Sequence, residues 1–159
     1  MAGVDWCDAY AFCAWAGKRL CGRIGGGSGV PSDFNDATKS QWYAACISEA
    51  AGNVYPYGNS YTTTTCNGGD NGVADFVPVK SMTGCHWSAA PYSSIYDMSG
   101  NADEWEDTCT QAGGIGANDP CRARGGNYLD SQLWLRCDAD WMGYNRSDRF
   151  LNVGFRCCS

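Results

Sequence analysis

Apolar residues recur at steps of three and four along residues 4–17, where Trp6, Ala9, Tyr10, Cys13 and Ala16 predict one buried helical face. Asp5 is placed to cap the N-terminus and Gly17 to end the helix in a left-handed turn. Residues 18–20 form a short exit. A second helix is expected over residues 40–50, with Ser40 as N-cap and Trp42, Ala45, Cys46 and Ala50 on one face. From Gly52 onward the periodicity breaks down. Residues 76–79 form one short apolar strand candidate, and residues 91–98 lead through a Gly-Asn turn to Glu104-Trp105-Glu106. Residues 111–120 read as a loop, and strand, loop and strand follow from Arg122 to a last strand over residues 153–157. Two helices followed by short strands in long loops define an α+β fold, and a chain of 159 residues without internal repeat or linker is read as one domain, 1–159. Loops of this length call for a function or for covalent staples.

One stretch fits no period. Between Arg124-Gly-Gly and Val153-Gly-Phe-Arg-Cys-Cys, large apolar side chains alternate irregularly with Asp, Asn, Gln and Arg. Such a mixture in irregular backbone marks a surface that touches something. The aromatic content of 13%, with 7 Trp, supplies rigid contact area of the kind found in binding faces and cores alike.

Composition narrows the partners. A net charge of −6 with only 11 Lys and Arg, scattered along the chain, excludes the basic stripe of a nucleic-acid binder. No apolar run reaches the length of a membrane span. The opening Met-Ala-Gly-Val-Asp-Trp lacks the basic and apolar regions of a signal peptide, and the chain starts at once on what reads as domain interior. The glycine-rich GRIGGGSG lacks the Gly-Lys-Ser/Thr ending and preceding strand of a phosphate loop.

Eleven cysteines without any Cys-x-x-Cys, beside a single histidine (His86), read as a disulfide framework rather than zinc sites, and so as an extracellular or cell-surface protein. An odd count leaves at least one thiol free or paired with another chain. Cys109 and Cys121 bracket a loop and are expected partners. Adjacent Cys157 and Cys158 should diverge to different partners, with Cys137 a candidate for one of them. His86 is expected to be a surface or hydrogen-bonded residue. Asp103 and Glu106, which flank Trp105, are read as a solvated face rather than a carboxylate pair.

Several motifs occur together and in order. VDWCDAYAFCAWAGKRL, SQWYAAC, NVYPYGNSY, IYDMSGNADEWED, RGGNY and NVGFRC resemble the successive segments of formylglycine-generating enzymes, the sulfatase-modifying factor family, with Tyr57 standing where Trp is usual. The resemblance covers nearly the whole chain. It departs at Cys21-Gly-Arg-Ile, and the family's portion before the first helix has no counterpart. It implies a C-type-lectin-like α+β fold and an oxidase whose two active-site cysteines bind copper just after the Arg-Gly-Gly strand. In this sequence Asp130 falls where the first of those cysteines would stand, and the shorter segment leaves no place for the second. Cu(I) chemistry needs soft thiolates, which a carboxylate cannot replace, so no copper and no catalytic residues are expected.

The chain also resembles the variable proteins of diversity-generating retroelements, which carry hypervariable ligand-binding positions on the same scaffold. The corresponding frame is present here as Arg124, Gly125, Gly126, Leu135, Arg136, Asn145, Arg146, Asn152, Gly154, Phe155 and Arg156. The expected recognition positions are Tyr128, Leu129, Asp130, Gln132, Leu133, Trp134, Ala139, Trp141, Met142, Tyr144, Asp148, Arg149, Phe150 and Leu151. Because consecutive strand residues point opposite ways, Leu135 is expected inside and most of the others outside. The composition of this face favours a protein or cell-surface ligand over a small polar sugar. It also leaves self-association open, through the apolar patch or an unpaired cysteine. A structural calcium ion is implied at Asp97, Gly100, Ala102 and Glu104, where two carboxylates and two turn carbonyls offer the oxygens Ca²⁺ prefers. The competing readings are a formylglycine-generating-type oxidase acting on a peptidyl cysteine and a purely structural disulfide-rich module.

Overall fold

The computed structural model describes residues 1–48, 52–110 and 116–159. The expected position of Ala50, and the first half of the loop at 111–120, lie outside these. The first helix, α1 (Trp6–Trp15), is capped by the Asp5 carboxylate, which accepts from the Asp8 N–H at 2.8 Å. Gly17 reverses the chain at φ +70°. The buried stripe is Trp6, Ala9 and Cys13, narrower than expected. Tyr10 faces outward and stacks on Trp6 instead. The second helix, α2 (Gln41–Cys46), starts at the Ser40 cap as expected and ends early, with Ser48 in the left-handed region at φ 56°.

Beyond α1 the chain forms β1 (Arg19–Leu20). The remaining strands are β2 (Asp103–Cys109), β3 (Pro120–Arg124), β4 (Trp141–Asn145), β5 (Val153–Phe155) and β6 (Cys157–Cys158). The main sheet has the order β4-β3-β2-β5, with β5 parallel to β2 and the other pairs antiparallel. The small sheet pairs β1 with β6, so the end of the chain returns to the exit of the first helix. This is an α+β fold. Residues 76–79 do not form the expected strand. Asn101 satisfies that segment instead, its Oδ1 accepting from the Val77 N–H at 3.0 Å and its Nδ2 donating to the Val77 carbonyl at 3.2 Å. A side-chain amide thus takes the role of a neighbouring strand. Conversely, β4 forms inside the stretch read as loop, because Trp141 and Tyr144 register against Ala123 and Cys121 of β3.

Two cores flank the sheet. Trp6, Ala9, Cys13, Leu20, Trp105 and Val153 pack together on the α1 side, and Trp42, Cys46, Ile47, Met98 and Cys137 on the α2 side. Strand β2 is central, and all seven of its residues are buried. The expectation of a solvated Asp103 and Glu106 is therefore corrected: Glu106 is 1% and Asp103 6% exposed. Glu106 accepts from the Ser40 hydroxyl at 3.1 Å and faces the Arg124 guanidinium at 3.7 Å.

Five disulfides staple this frame: Cys13–Cys157, Cys21–Cys158, Cys46–Cys137, Cys66–Cys85 and Cys109–Cys121. The Cys109–Cys121 pairing is as expected, and Cys157 and Cys158 diverge. Cys137 pairs with Cys46 rather than with either of them, because β1–β6 pairing brings Cys157 and Cys158 to Cys13 and Cys21, on either side of β1. Cys7 remains as a free, exposed thiol. Among the described residues no helix is long and apolar enough to cross a membrane. The disulfides indicate an oxidising environment.

Candidate recognition face

Strand β3 delivers the chain to Gly125 and Gly126, both left-handed at φ +91° and +66°. A Cβ at Gly125 would meet the Met98 carbonyl oxygen at 2.8 Å, and one at Gly126 the Trp134 carbonyl oxygen at 3.0 Å. Only glycine fits both the backbone and the space. The loop that follows is fixed from within. Asn127, 4% exposed, donates from Nδ2 to Oδ2 of both Asp103 and Asp130, and its Oδ1 accepts from the Leu129 N–H. Asp130 Oδ2 also accepts from the Asn127 N–H at 2.9 Å. Leu135 inserts inward at 1% exposure, its carbonyl accepting from the Ser99 hydroxyl at 2.6 Å, and the Cys46–Cys137 disulfide closes the loop.

The arginines of β3 lie beneath this loop. Arg122 is 1% exposed, bonds Asp140 at 2.7 Å and the Pro31 carbonyl at 2.9 Å, and lies over the Phe34 ring. Arg124 donates to the carbonyls of Phe34 and Cys137 and stacks on Trp42, 4.5 Å from the ring centroid. These guanidiniums hold backbone oxygens of two separate segments, residues 31–34 and Cys137, in place, as planar multi-donor groups do well.

With that frame inside, Leu129, Leu133, Trp134, Trp141, Phe150 and Leu151 are exposed, Leu133 by 65% and Leu151 by 80%. The rings form a chain. Trp134 meets Trp141 edge to face at 5.5 Å, Trp141 meets Tyr144 at 5.9 Å, and Tyr144 meets Phe150 at 4.8 Å. Between them opens a cavity of about 40 Å³, walled by Trp134, Ala139, Trp141 and Tyr144, with Asp103, Asp130, Gly125 and Gly126 also lining it. Tyr128 and Leu151 line a different, larger groove of about 880 Å³ beside Phe76, Val79 and Tyr96. Gln132 is exposed and Met142 half-buried. Asp148 and Arg149 serve the frame. Asp148 accepts from the Asn145 N–H at 2.7 Å, and Arg149 bridges Asp5 and Asp8 of the first helix at 2.8 Å each. Sequence reasoning missed Asp103 and Asn127, whose positions beside the cavity depend on strand pairing. Burial, reinforced by the negative charges of Asp130 and Glu104, pushes the Asp103 carboxyl up to about 7. Burial also raises Tyr144, which hydrogen-bonds Asp103.

The residues expected to hold calcium come together but are engaged by the protein itself. Glu104 receives a two-pronged bond from Arg156, Nε to Oε2 and Nη2 to Oε1, and a third from Trp42 Nε1 at 2.8 Å. Arg156 also donates to the Tyr96 carbonyl at 3.1 Å and the Asp97 carbonyl at 3.4 Å. The Asp97 carboxylate accepts from the Lys80 N–H at 2.8 Å. Gly100 and Ala102 close a tight turn, with the Ala102 N–H on the Gly100 carbonyl at 2.9 Å. As arranged, these groups do not fit Ca²⁺: a guanidinium occupies both oxygens of one carboxylate, and a shell of about six oxygens is not left. The one group of three metal-ligand side chains among the described residues is Cys109, Asp119 and Cys121, and both its sulfurs are in a disulfide. Copper does not fit at the cavity either, since no cysteine lines it.

Comparison with known proteins places this geometry. The sulfatase-modifying factor enzyme 1-like domain model matches residues 1–159, and the chain belongs to that family. It is 29% identical to the inactive C-alpha-formylglycine-generating enzyme 2 of Bos taurus over 98% of this chain and 48% of that protein. It is 25% identical to the formylglycine-generating enzyme of Bos taurus over 98% of this chain and 42% of that protein. The chain thus spans about half the length of the curated relatives it matches. Among solved structures it is similar to PvdO from Pseudomonas aeruginosa (TM-score 0.65, 20% identity, 97% of this chain and 59% of that one). It is also similar to Treponema denticola variable protein 1 (TM-score 0.64, 16% identity, 98% of this chain and 69% of that one). The fold is the C-type-lectin-like fold of this family.

Proposed function

We propose that this domain is a non-catalytic recognition module, presenting the Trp134–Trp141–Tyr144–Phe150 surface to a protein or cell-surface ligand outside the cell. The observation that carries this reading is the pairing of an exposed aromatic chain with a rigid frame: arginines, a glycine pair and a disulfide hold the loop from below, while Trp134 and Trp141 stay 41% and 42% exposed. Exposed Trp side chains on a preorganised loop and strand are of the kind that dominates binding energy when a partner covers them. The oxidase reading lacks its chemistry, because ten of the eleven cysteines are in disulfides and the remaining thiol, Cys7, sits on the first helix. Resemblance to an inactive relative and to a variable protein supports the same direction.

The decisive experiment replaces Trp141, Met142 and Phe150 together by serine and selects binders against the parent domain from a displayed peptide library. Binders that fail on the variant, with its melting temperature within a few degrees of the parent, support the reading. Binders indifferent to these residues overturn it. Copper loading with turnover of a cysteinyl peptide would restore the oxidase. Sister sequences from the same genome, differing only between Arg-Gly-Gly and Gly-Phe-Arg, would establish diversification of the face.

A further inference from the structure

The cavity inside the aromatic face has a composition more specific than the face around it. Trp134 and Trp141 stand nearly perpendicular, at 85°, and Tyr144 adds a third ring at 69° to Trp141. The Asp103 and Asp130 carboxylates line the same space, tied together by Asn127. Arg124 also lines the cavity, but its guanidinium is turned to carbonyl oxygens and to Trp42, with Glu106 as its counter-charge. We infer that the cavity is a socket for an alkylammonium group carried by the ligand, a lysine side chain or its N-methylated form.

An anion would face two carboxylates. A purely apolar group would cover those carboxylates and add nothing to the bonds they already take from Asn127, which is unfavourable. A cation gains from the aromatic π systems around the cavity, whose faces carry negative potential, and from carboxylates that balance its charge. The space of about 40 Å³ is far below the ~300 Å³ of a pocket that swallows a whole small molecule, so the socket takes one group of a larger ligand. This inference rests on the reading of the face as a recognition surface and names what that surface reads.

The test titrates the intact domain with methylammonium, tetramethylammonium and the neutral isostere tert-butanol, following the indole N–H resonances of Trp134 and Trp141. Saturable shifts at millimolar concentration are expected for an ammonium probe and none for tert-butanol. The better of the two ammonium probes identifies a free or a methylated amine. Trp134→Ala and Asp130→Asn, each checked for native dispersion of the remaining resonances, should weaken binding at least tenfold. Equal shifts with tert-butanol, or no saturation below 100 mM of either ammonium, overturn the socket. If library-selected binders still depend on Trp141 and Phe150 while both ammonium probes fail, the recognition face stands and the socket alone falls.

Discussion

Removing the two disulfides that tie α1 and β1 to β6 should cost more than the sum of removing each one. Cys13–Cys157 and Cys21–Cys158 span 144 and 137 residues, yet they close nearly the same ring. With one of them intact, the other closes only the short circuit from residue 13 to 21 and back through the adjacent cysteines, about ten residues, worth ~2.7 kcal/mol of loop-closure entropy. With both gone, the outer ring opens as well. Because Cys46–Cys137 still shortens that ring to about 55 residues, its closure is worth a further ~4 kcal/mol. The Cys13→Ala/Cys157→Ala and Cys21→Ala/Cys158→Ala variants should therefore each lose ~2.7 kcal/mol, and the fourfold variant ~7 kcal/mol, a surplus of about 1.5 kcal/mol over the two pairs together. Urea denaturation of the four proteins measures this cycle, in which the local cost of truncating each sulfur cancels. Additivity within about 0.5 kcal/mol would refute the nested-ring argument and would mean that each bridge acts through local packing alone.

Other outcomes follow from the site. Leu135→Ala should destabilise by ~2–5 kcal/mol and Leu133→Ala by no more than ~0.5 kcal/mol, since one side chain is buried at 1% and its neighbour two residues away is exposed; equal effects in thermal melts would reverse the assigned facing. Gly125→Ala should cost at least ~1–3 kcal/mol, because it adds a Cβ against the Met98 carbonyl at a left-handed φ; an unchanged denaturation midpoint would show that the turn can relax. Asp103 holds its proton more tightly folded than unfolded, so its contribution to stability is full below about pH 4 and lost as pH rises to about 7. The stability of the parent relative to Asp103→Asn should fall by ~4 kcal/mol over that window, and a flat difference would refute the burial argument. With Arg156 on Glu104, chelator should leave the melting temperature unchanged; a drop of several degrees would mean that calcium displaces the guanidinium.

Much of the frame was legible in the chain. The caps Asp5 and Ser40 and the helix end at Gly17 are local matters, decided by hydrogen bonds within a few residues and by which φ a residue tolerates. Leu135 is inward as expected, but it stands in a turn rather than a strand, so its burial comes from the folded loop and not from alternation. The cavity was not legible, because Asp103 reaches Asn127 and Tyr144 only through strand pairing. The facing of α1 and the fate of residues 76–79 were likewise decided by what packs alongside.

The amino-acid order alone determined that a disulfide-stapled α+β domain would carry an aromatic, irregular closing segment without the thiols of its enzyme relatives. Tertiary structure decided which of those side chains are display and which are frame. Arg149 turns back to Asp5 and Asp8, Leu151 falls beside a separate groove, and Arg156 meets the carboxylate where calcium was expected. The reason is physical. Burial and charge pairing depend on neighbours distant in sequence, and in a sheet ordered β4-β3-β2-β5 those neighbours are set by topology rather than by the residues beside them in the chain.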